Sequence, residues 1–354
     1  AIINPLQAGC RYPFKNLAGV GIAYKLGRVL LENTQFSAEE HLDLVALGTV
    51  SDMSVQKGEN RILTRNGLKK LGCTQKIGLK ALIEVTRLKS KDITCGHVGF
   101  ILGPRINAMG RVGKPEAALR LLITEDADEA KYIAGILDKE NRNRQKIERG
   151  VLGQALEKVT REVNFKDSRV IVLSGADWHA GVIGIVASRI VERYYRPTII
   201  IAEDGNKGKG SGRSINNFHL FNAISACKDK LIDFGGHEGA CGLSIRKENI
   251  PGFTLAINEF AKTAISDEDL YPTLNIDVEV GLSDVNEKLV EEIGLLAPFG
   301  PENPRPVFCS SNLALKSDLR RIAKNGFKMW VTDDISTCEA VSFKSEGMSL
   351  PSRD

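Results

Sequence analysis

The residues best suited to chemistry lie between Asp204 and Ile245, reading DGNKGKGSGRSINNFHLFNAISACKDKLIDFGGHEGACGLSI. Glycines at 205, 208, 210 and 212 let the backbone approach a ligand closely. Lys207, Lys209 and Arg213 sit among them, and Ser211, Ser214 and the backbone amides add donors. That is the composition of an anion-binding loop. Further on, Gly235-Gly236-His237 ends an apolar segment. A histidine after two glycines suits a tight turn facing a cleft, where its ring could hydrogen-bond a phosphate. Taken alone, the glycines also fit a flexible surface turn, and His237 also fits a capped turn.

A second candidate is GPRINAMGRVGKPEAALRLL (103–122). Arg105 and Arg111 flank a turn-like segment and precede a helix, a setting for bidentate phosphate contact. The competing reading is two surface arginines with salt-bridge partners. Asp52, in LGTVSDMS, ends an apolar run and is placed as a metal ligand or as a helix cap. One carboxylate is not a Mg²⁺ or Mn²⁺ site, and no Asp/His cluster lies near it in sequence. Towards the C-terminus, Phe327, Trp330 and Phe343 with Lys328 could stack bases, although two of the three aromatics are expected in a core. Gly19-x-Gly21 is followed by Tyr24, so the dinucleotide fingerprint fails there. Trp178-His179 opens a helix in either a structural or a ligand-facing role.

These groups need elements to position them. The run 42–52 is a helix or a buried strand, which periodicity does not distinguish. The stretches 66–71 and 77–88 read as helices. From Thr124, taken as the N-cap, apolar residues recur at helical spacing to Val163. The middle of that helix, 139–150, is polar on most sides, which predicts a connector between two bodies, weakened or kinked at Gly150 and Gly153. Apolar β-branched runs at 169–174 and 197–203 flank a helix at 179–195, a βαβ unit with parallel strands. Then 274–280 alternates as a half-buried strand, and a helix follows at 284–296 with Asp284 and Glu287 as its capping box. Four prolines lie between 298 and 306. The last apolar runs read as a small β-barrel with a hairpin turn at Asn325-Gly326.

Composition bounds the function. The 354 residues carry 48 Lys and Arg against 44 Asp and Glu, a formal charge of +4. That excludes a polybasic coat and leaves nucleic-acid binding to local patches. With 42% hydrophobic and 26% charged residues, the chain is an ordinary globular one. No run of apolar residues is long enough for a transmembrane helix, and the start is not a signal peptide. Seven dispersed cysteines without a CxxC pair predict a reducing, cytoplasmic setting.

Seven segments, NPLQAGCRYPFKNLAGVGIAYKL, LDLVALGTVSDMSVQKGENR, GPRINAMGR, DWHAGVIGIVASRIVERYYRP, GSGRSI, FGGHEGACGLSI and LAPFGPENPRPVF, together resemble the RecJ family of the DHH phosphoesterase superfamily. They run in that family's order over positions 4–308. The resemblance implies a single-stranded-DNA-specific 5′→3′ exonuclease of DNA repair and recombination. It implies an α/β fold: two α/β domains joined by a long helix, then a partial oligonucleotide-binding (OB) β-barrel. Residues 1–125 would be the C-terminal part of the DHH domain, 126–165 the connecting helix, 166–262 the DHH-associated domain and 263–354 the OB fold. A two-metal Mn²⁺ or Mg²⁺ centre would activate water against the terminal phosphodiester. Asp52 matches the family's last metal-ligand motif. Arg111, and with it Arg105, match the arginine motif that faces the 5′-phosphate. Ser211 and Arg213 match its phosphate loop, Gly236 and His237 its glycine–glycine–histidine motif, and Gln145 a glutamine of the same pocket. Catalytic roles are expected for Asp52 and His237, and strand contacts for Phe327 and Trp330. The implied partners are single-stranded DNA, a single-strand-binding protein and a helicase, with no membrane. The family's remaining metal motifs lie upstream of the segment matching Ala1, so the chain reads as an internal fragment. Two other classes fit less well: a non-catalytic single-strand binder, and a DHH phosphodiesterase of oligonucleotides or dinucleotides.

Overall fold

The computed structural model describes residues 2–88, 92–322 and 326–343. Along the chain, helices α1 (Gly19–Leu31), α2 (Leu42–Ser51), α3 (Gly58–Gly72) and α4 (Ile77–Val85) come first. A short helix α5 (Cys95–His97) runs through a π-helical turn at Val98–Leu102 into α6 (Gly103–Met109). Next come α7 (Pro115–Ile123) and the long α8 (Ala127–Glu162). Strands and helices then alternate: β1 (Ile171–Gly175), α9 (Ile183–Tyr194), β2 (Thr198–Asp204), β3 (Lys207–Arg213), α10 (Leu220–Ala226), β4 (Leu231–Gly236), β5 (Ala240–Arg246) and α11 (Ile250–Ala264). The last stretch holds β6 (Val278–Glu279), α12 (Glu287–Leu295), β7 (Phe308–Cys309), β8 (Ala314–Leu315), β9 (Arg320–Ile322), β10 (Gly326–Thr332) and β11 (Thr337–Ser342). The class is mixed α/β, as expected, with its strands from Ile171 onward among the described residues.

The chain divides into two compact units. One gathers Ala1–Gly72, Asp92–Cys95 and Leu274–Asp354; the other gathers Cys73–Lys91 and Gly96–Thr273. The expected boundary at 125–126 is not where compactness changes, because α4, α6 and α7 all pack along α8.

In the second unit, α8 runs unbroken for 36 residues. Asp126, not Thr124, is its N-cap, accepting from the Glu129 amide at 2.9 Å. Thr124 instead ends α7. Gly150 and Gly153 do not interrupt the helix, and a side chain at either would meet open space. Its middle is polar but not exposed all round. Asn141, Arg144 and Glu148 are buried and satisfy one another, with Arg144 Nη1 donating to Glu148 Oε2 at 2.8 Å. The helix packs on α4, α6 and α7 and, through Val151, Ala155 and Val159, on the core under α9 and β1, all within one compact unit.

The five-stranded sheet has the order β1-β2-β3-β5-β4. β1 and β2 pair in parallel around α9, as the strand–helix–strand pattern predicts, and the remaining pairs are antiparallel. α9 covers one face through Ile183, Val186, Ala187 and Ile190, all buried at helical spacing. Each large aliphatic so buried contributes about 1.5–3 kcal/mol. The opposite face packs Ile199, Ile201, Leu243 and Ile245 against Leu220, Phe253 and Ile257 of α10 and α11.

In the first unit, the 42–52 run resolves as helix α2 with Asp52 at its C-cap. Arg61 of α3 donates to the carbonyls of Leu295, Leu296 and Ala297, satisfying the C-terminal end of α12. The N-cap of α12 is Asn286, whose side chain accepts from the Leu289 amide at 3.1 Å; the expected Asp284/Glu287 capping box is not formed. Asp284 Oδ2 accepts instead from the Gly281 amide. The predicted strand over 274–280 shrinks to two exposed residues of β6. β8 to β11 form one sheet, β6 and β7 another, and among the described residues they do not close into a barrel. β9 and β10 pair antiparallel with Ile322 opposite Gly326, while the expected turn residue Asn325 lies outside the described residues.

Candidate phosphate-binding site

The glycine-rich run is not a loop. Lys207–Arg213 is strand β3, hydrogen-bonded on both sides to β2 and β5. Alternation along a strand places Gly208, Gly210 and Gly212 on one face and Lys207, Lys209, Ser211 and Arg213 on the other. The glycines meet the core tightly. A Cβ would come within 2.6 Å of Ile201 at Gly208, 2.7 Å of Leu243 at Gly210 and 2.8 Å of Leu220 at Gly212. They are there for packing, and the opposite face keeps the donors.

On that polar face, Arg213 Nη1 donates to Ser211 Oγ at 3.2 Å and to the Gly212 carbonyl at 2.7 Å. Both side chains abut the first turn of α9, where a Cβ at Gly184 would lie 3.0 Å from Arg213 Nη2 and from Ser211 Oγ. A helix start offers free amides and a positive dipole end, which favour an anion. Arg111, in the turn between α6 and α7, reaches the same place and donates to the Gly181 carbonyl at 3.2 Å. Burial, and then the positive charge of Arg111, push the Arg213 guanidinium below the usual arginine range. Among the described residues no carboxylate pairs with Arg111 or Arg213. Two converging cations without an acidic partner are a setting that suits an anion.

Arg111 also lines an open cleft of about 460 Å³ with Gln145, Arg149, Arg189, Glu148 and Phe100. Gln145 thus lines the same cleft as Arg111. Arg105 is not. Its Nε and Nη2 bind Asp138 Oδ1 at 3.0 and 2.9 Å, and Nη1 donates to the Ile101 carbonyl. Asp138 is buried, so Arg105 fastens α6 to α8 and has no free fork for a phosphate.

His237 sits exposed in the turn between β4 and β5, its amide donating to the Ala240 carbonyl at 2.9 Å. Gly236 has φ +144°, and a Cβ there would fall 2.4 Å from that same carbonyl. Arg213 pairs with Ala240, and the Ser214 amide donates to the Gly239 carbonyl, so the His237 turn borders the Arg213 end of β3. Trp178 is structural: it is buried and its Nε1 donates to Gln154 Oε1 at 2.7 Å. His179 Nδ1 accepts from the Gly181 amide and shapes the turn into α9.

In the other unit, Asp52 is exposed and Oδ2 accepts from Ser54 Oγ at 2.7 Å. Among the described residues no group of three or more His, Cys, Asp and Glu side chains could hold a metal. Asp52 by itself does not fit one. Phe327 and Trp330, three residues apart on β10, face opposite sides of the sheet and do not form one platform. Trp330 is 44% exposed, beside Lys328, which pairs with Glu339 at 2.7 Å.

Gly184, Arg149 and Arg189 join the site although none is singled out as a candidate residue in the sequence. Arg149 lies four residues beyond Gln145 and so shares its helix face, a usable signal. Gly184 and Arg189 lie in the family-like segment over 177–197, but nothing in that segment marks them individually; the packing of α9 brings them in.

Comparison with known proteins follows the same outline. The DHHA1 domain family matches residues 167–263, and the RecJ OB domain family matches 276–351. The single-stranded-DNA-specific exonuclease RecJ of Bacillus subtilis is 40% identical over 347 residues, covering 97% of this chain and 43% of that protein. The Haemophilus influenzae protein of the same name is 34% identical, covering 92% and 59%. Crystal structures of RecJ from Thermus thermophilus in complex with Mn²⁺ and with Mg²⁺ superpose with TM-scores of 0.84 and 0.83 at 29% identity. They cover 98% and 96% of this chain, and 50% and 52% of theirs. The chain spans about half the length of the relatives it matches.

Proposed function

The chain belongs to the RecJ family, and from that premise we propose that it carries the 5′-phosphate-binding part of a single-stranded-DNA-specific 5′→3′ exonuclease. The observation behind this reading is the meeting of Arg111, Ser211 and Arg213 at the start of α9, with Gln145 in the adjoining cleft. A terminal phosphate carries more charge than an internal diester, so paired guanidiniums with a helix start favour strand ends. Arg213 and Arg111 hold and orient that phosphate, Ser211 fixes the Arg213 fork, and Gly184 leaves room for it. His237, at the border of the same pocket, is the proposed contact to the neighbouring phosphate. Hydrolysis would then release terminal nucleotides during DNA repair and recombination.

Mn²⁺ or Mg²⁺ is the proposed cofactor of that hydrolysis, with Asp52 as the carboxylate this chain contributes. One carboxylate does not make a metal centre. Trp330 with Lys328 is proposed as a separate strand contact in the OB region. Single-stranded DNA is the proposed substrate, and a single-strand-binding protein and a helicase are proposed partners on family resemblance alone. A cytoplasmic location is proposed from the seven dispersed cysteines, none of which forms a CxxC pair. Among the described residues no helix is long and apolar enough to cross a membrane.

The test is the affinity of the chain for a single-stranded oligonucleotide with a 5′-phosphate against the same strand with a 5′-hydroxyl. The phosphorylated strand should bind more tightly. Arg213→Ala should abolish the preference, and Arg213→Lys should keep only part of it. Equal binding of both strands by the unaltered chain would overturn the reading.

A further inference from the structure

Phe100 stands out on the wall of the arginine cleft. It is 86% exposed, whereas Val98 and Leu102 on the same π-helical turn are 0% and 1% exposed. The turn is therefore anchored in the core on both sides while its middle residue projects outward. A π-helical turn departs from the regular ladder, and such departures are frequent at functional sites. Phe100 lines the cleft together with Arg111, Gln145, Arg149 and Arg189, and among the described residues it is the one aromatic there. An exposed aromatic face amid guanidiniums is the combination that holds a single strand: cations for phosphate, a ring for a base.

We propose that Phe100 is the stacking platform for the first base of a strand whose 5′-phosphate is held by Arg111 and Arg213. This deepens the proposed function and rests on it for the identity of the ligand. Stacking on a phenyl ring accepts any base, so the contact positions the terminal nucleotide without selecting sequence. Phe100 is 86% exposed while Val98 and Leu102 hold the turn, so Phe100→Ala should leave the core of the turn in place.

The experiment measures binding of the chain to 5′-phosphorylated single strands by fluorescence anisotropy, using an intact strand and strands abasic at position 1, 2 or 3. Phe100→Ala should weaken binding of the intact strand about five- to a hundredfold, and Phe100→Trp should retain it. The strand abasic at position 1 should bind the unaltered chain and Phe100→Ala equally. The ratio of 5′-phosphate to 5′-hydroxyl binding should survive Phe100→Ala and be lost in Arg213→Ala. A phosphate preference with no effect of Phe100→Ala on the intact strand overturns stacking and leaves the phosphate pocket standing. An equal loss by Phe100→Ala on the intact strand and on every abasic strand also overturns it. A base-dependent loss at Phe100 without any phosphate preference supports stacking and overturns the phosphate reading. Absence of binding by the unaltered chain overturns both.

Discussion

Arg213 lies against Gly184 so closely that a single methyl group at position 184 would sit 3.0 Å from Nη2 of the guanidinium and equally close to Ser211 Oγ. The first turn of α9 and the end of β3 thus meet through an absent side chain. The space that a Cβ would take is the space where the donors converge.

Gly184→Ala should therefore separate stability from binding. Alanine is the better helix former by about 0.5–1 kcal/mol, so the thermal midpoint should hold or rise. The displaced guanidinium should lower affinity for a 5′-phosphorylated strand about tenfold, roughly 1.4 kcal/mol. Titration of the same oligonucleotide against both proteins, with a melting curve of each, reads the two effects separately.

Arg105→Ala should show the reverse. Its fork is occupied by the buried Asp138, so the loss falls on folding, at about 1.5–3 kcal/mol for hydrogen bonds to a charged group. The 5′-phosphate preference should be unchanged wherever the variant is folded. A urea titration and a binding ratio check the two halves.

Two glycines on helices predict opposite signs. A Cβ at Gly78 would fall 1.7 Å from the Leu121 carbonyl oxygen, so Gly78→Ala must push α4 from α7 and cost about 3 kcal/mol. Gly150 faces open space inside α8, so Gly150→Ala should stabilise by about 0.5–1 kcal/mol. Denaturant midpoints of the two variants should move in opposite directions.

Acid should loosen the first unit through Glu59. Burial raises its carboxyl, but hydrogen bonds from Lys25 and Tyr12 outweigh that and hold it below its ordinary value of 4.5. A carboxyl lowered on folding adds stability that is present above its unfolded value and lost as pH falls through its folded one. Stability should therefore drop as pH falls below about 4.5. Glu59→Gln should reduce that pH dependence in urea titrations at about pH 7 and about pH 3.5.

Much of the framework is local and so was readable from the residues alone. The β-branched runs before and after α9 announce β1 and β2, and the spacing of Ile183, Val186 and Ile190 announces the helix between them. The helical spacing from Thr124 to Val163 announces α8, though neither its N-cap at Asp126 nor its passage unbroken through Gly150 and Gly153 is legible there. Family-like segments carry Arg111, Ser211, Arg213 and His237 as residues of interest, while Gln145 lies outside them and is matched only singly. Tertiary structure decided which of them meet. KGKGSGR has no apolar alternation, so its strand character shows only once β2 and β5 bond to both its edges and the core takes up the glycines. Arg105 and Arg111 look equivalent in a string; burial beside Asp138 uses up the first and leaves the second free to reach Gly181, seventy residues away. Hydrophobic periodicity is a short-range signal, whereas an anion site is made by charges that meet through packing from distant parts of the chain.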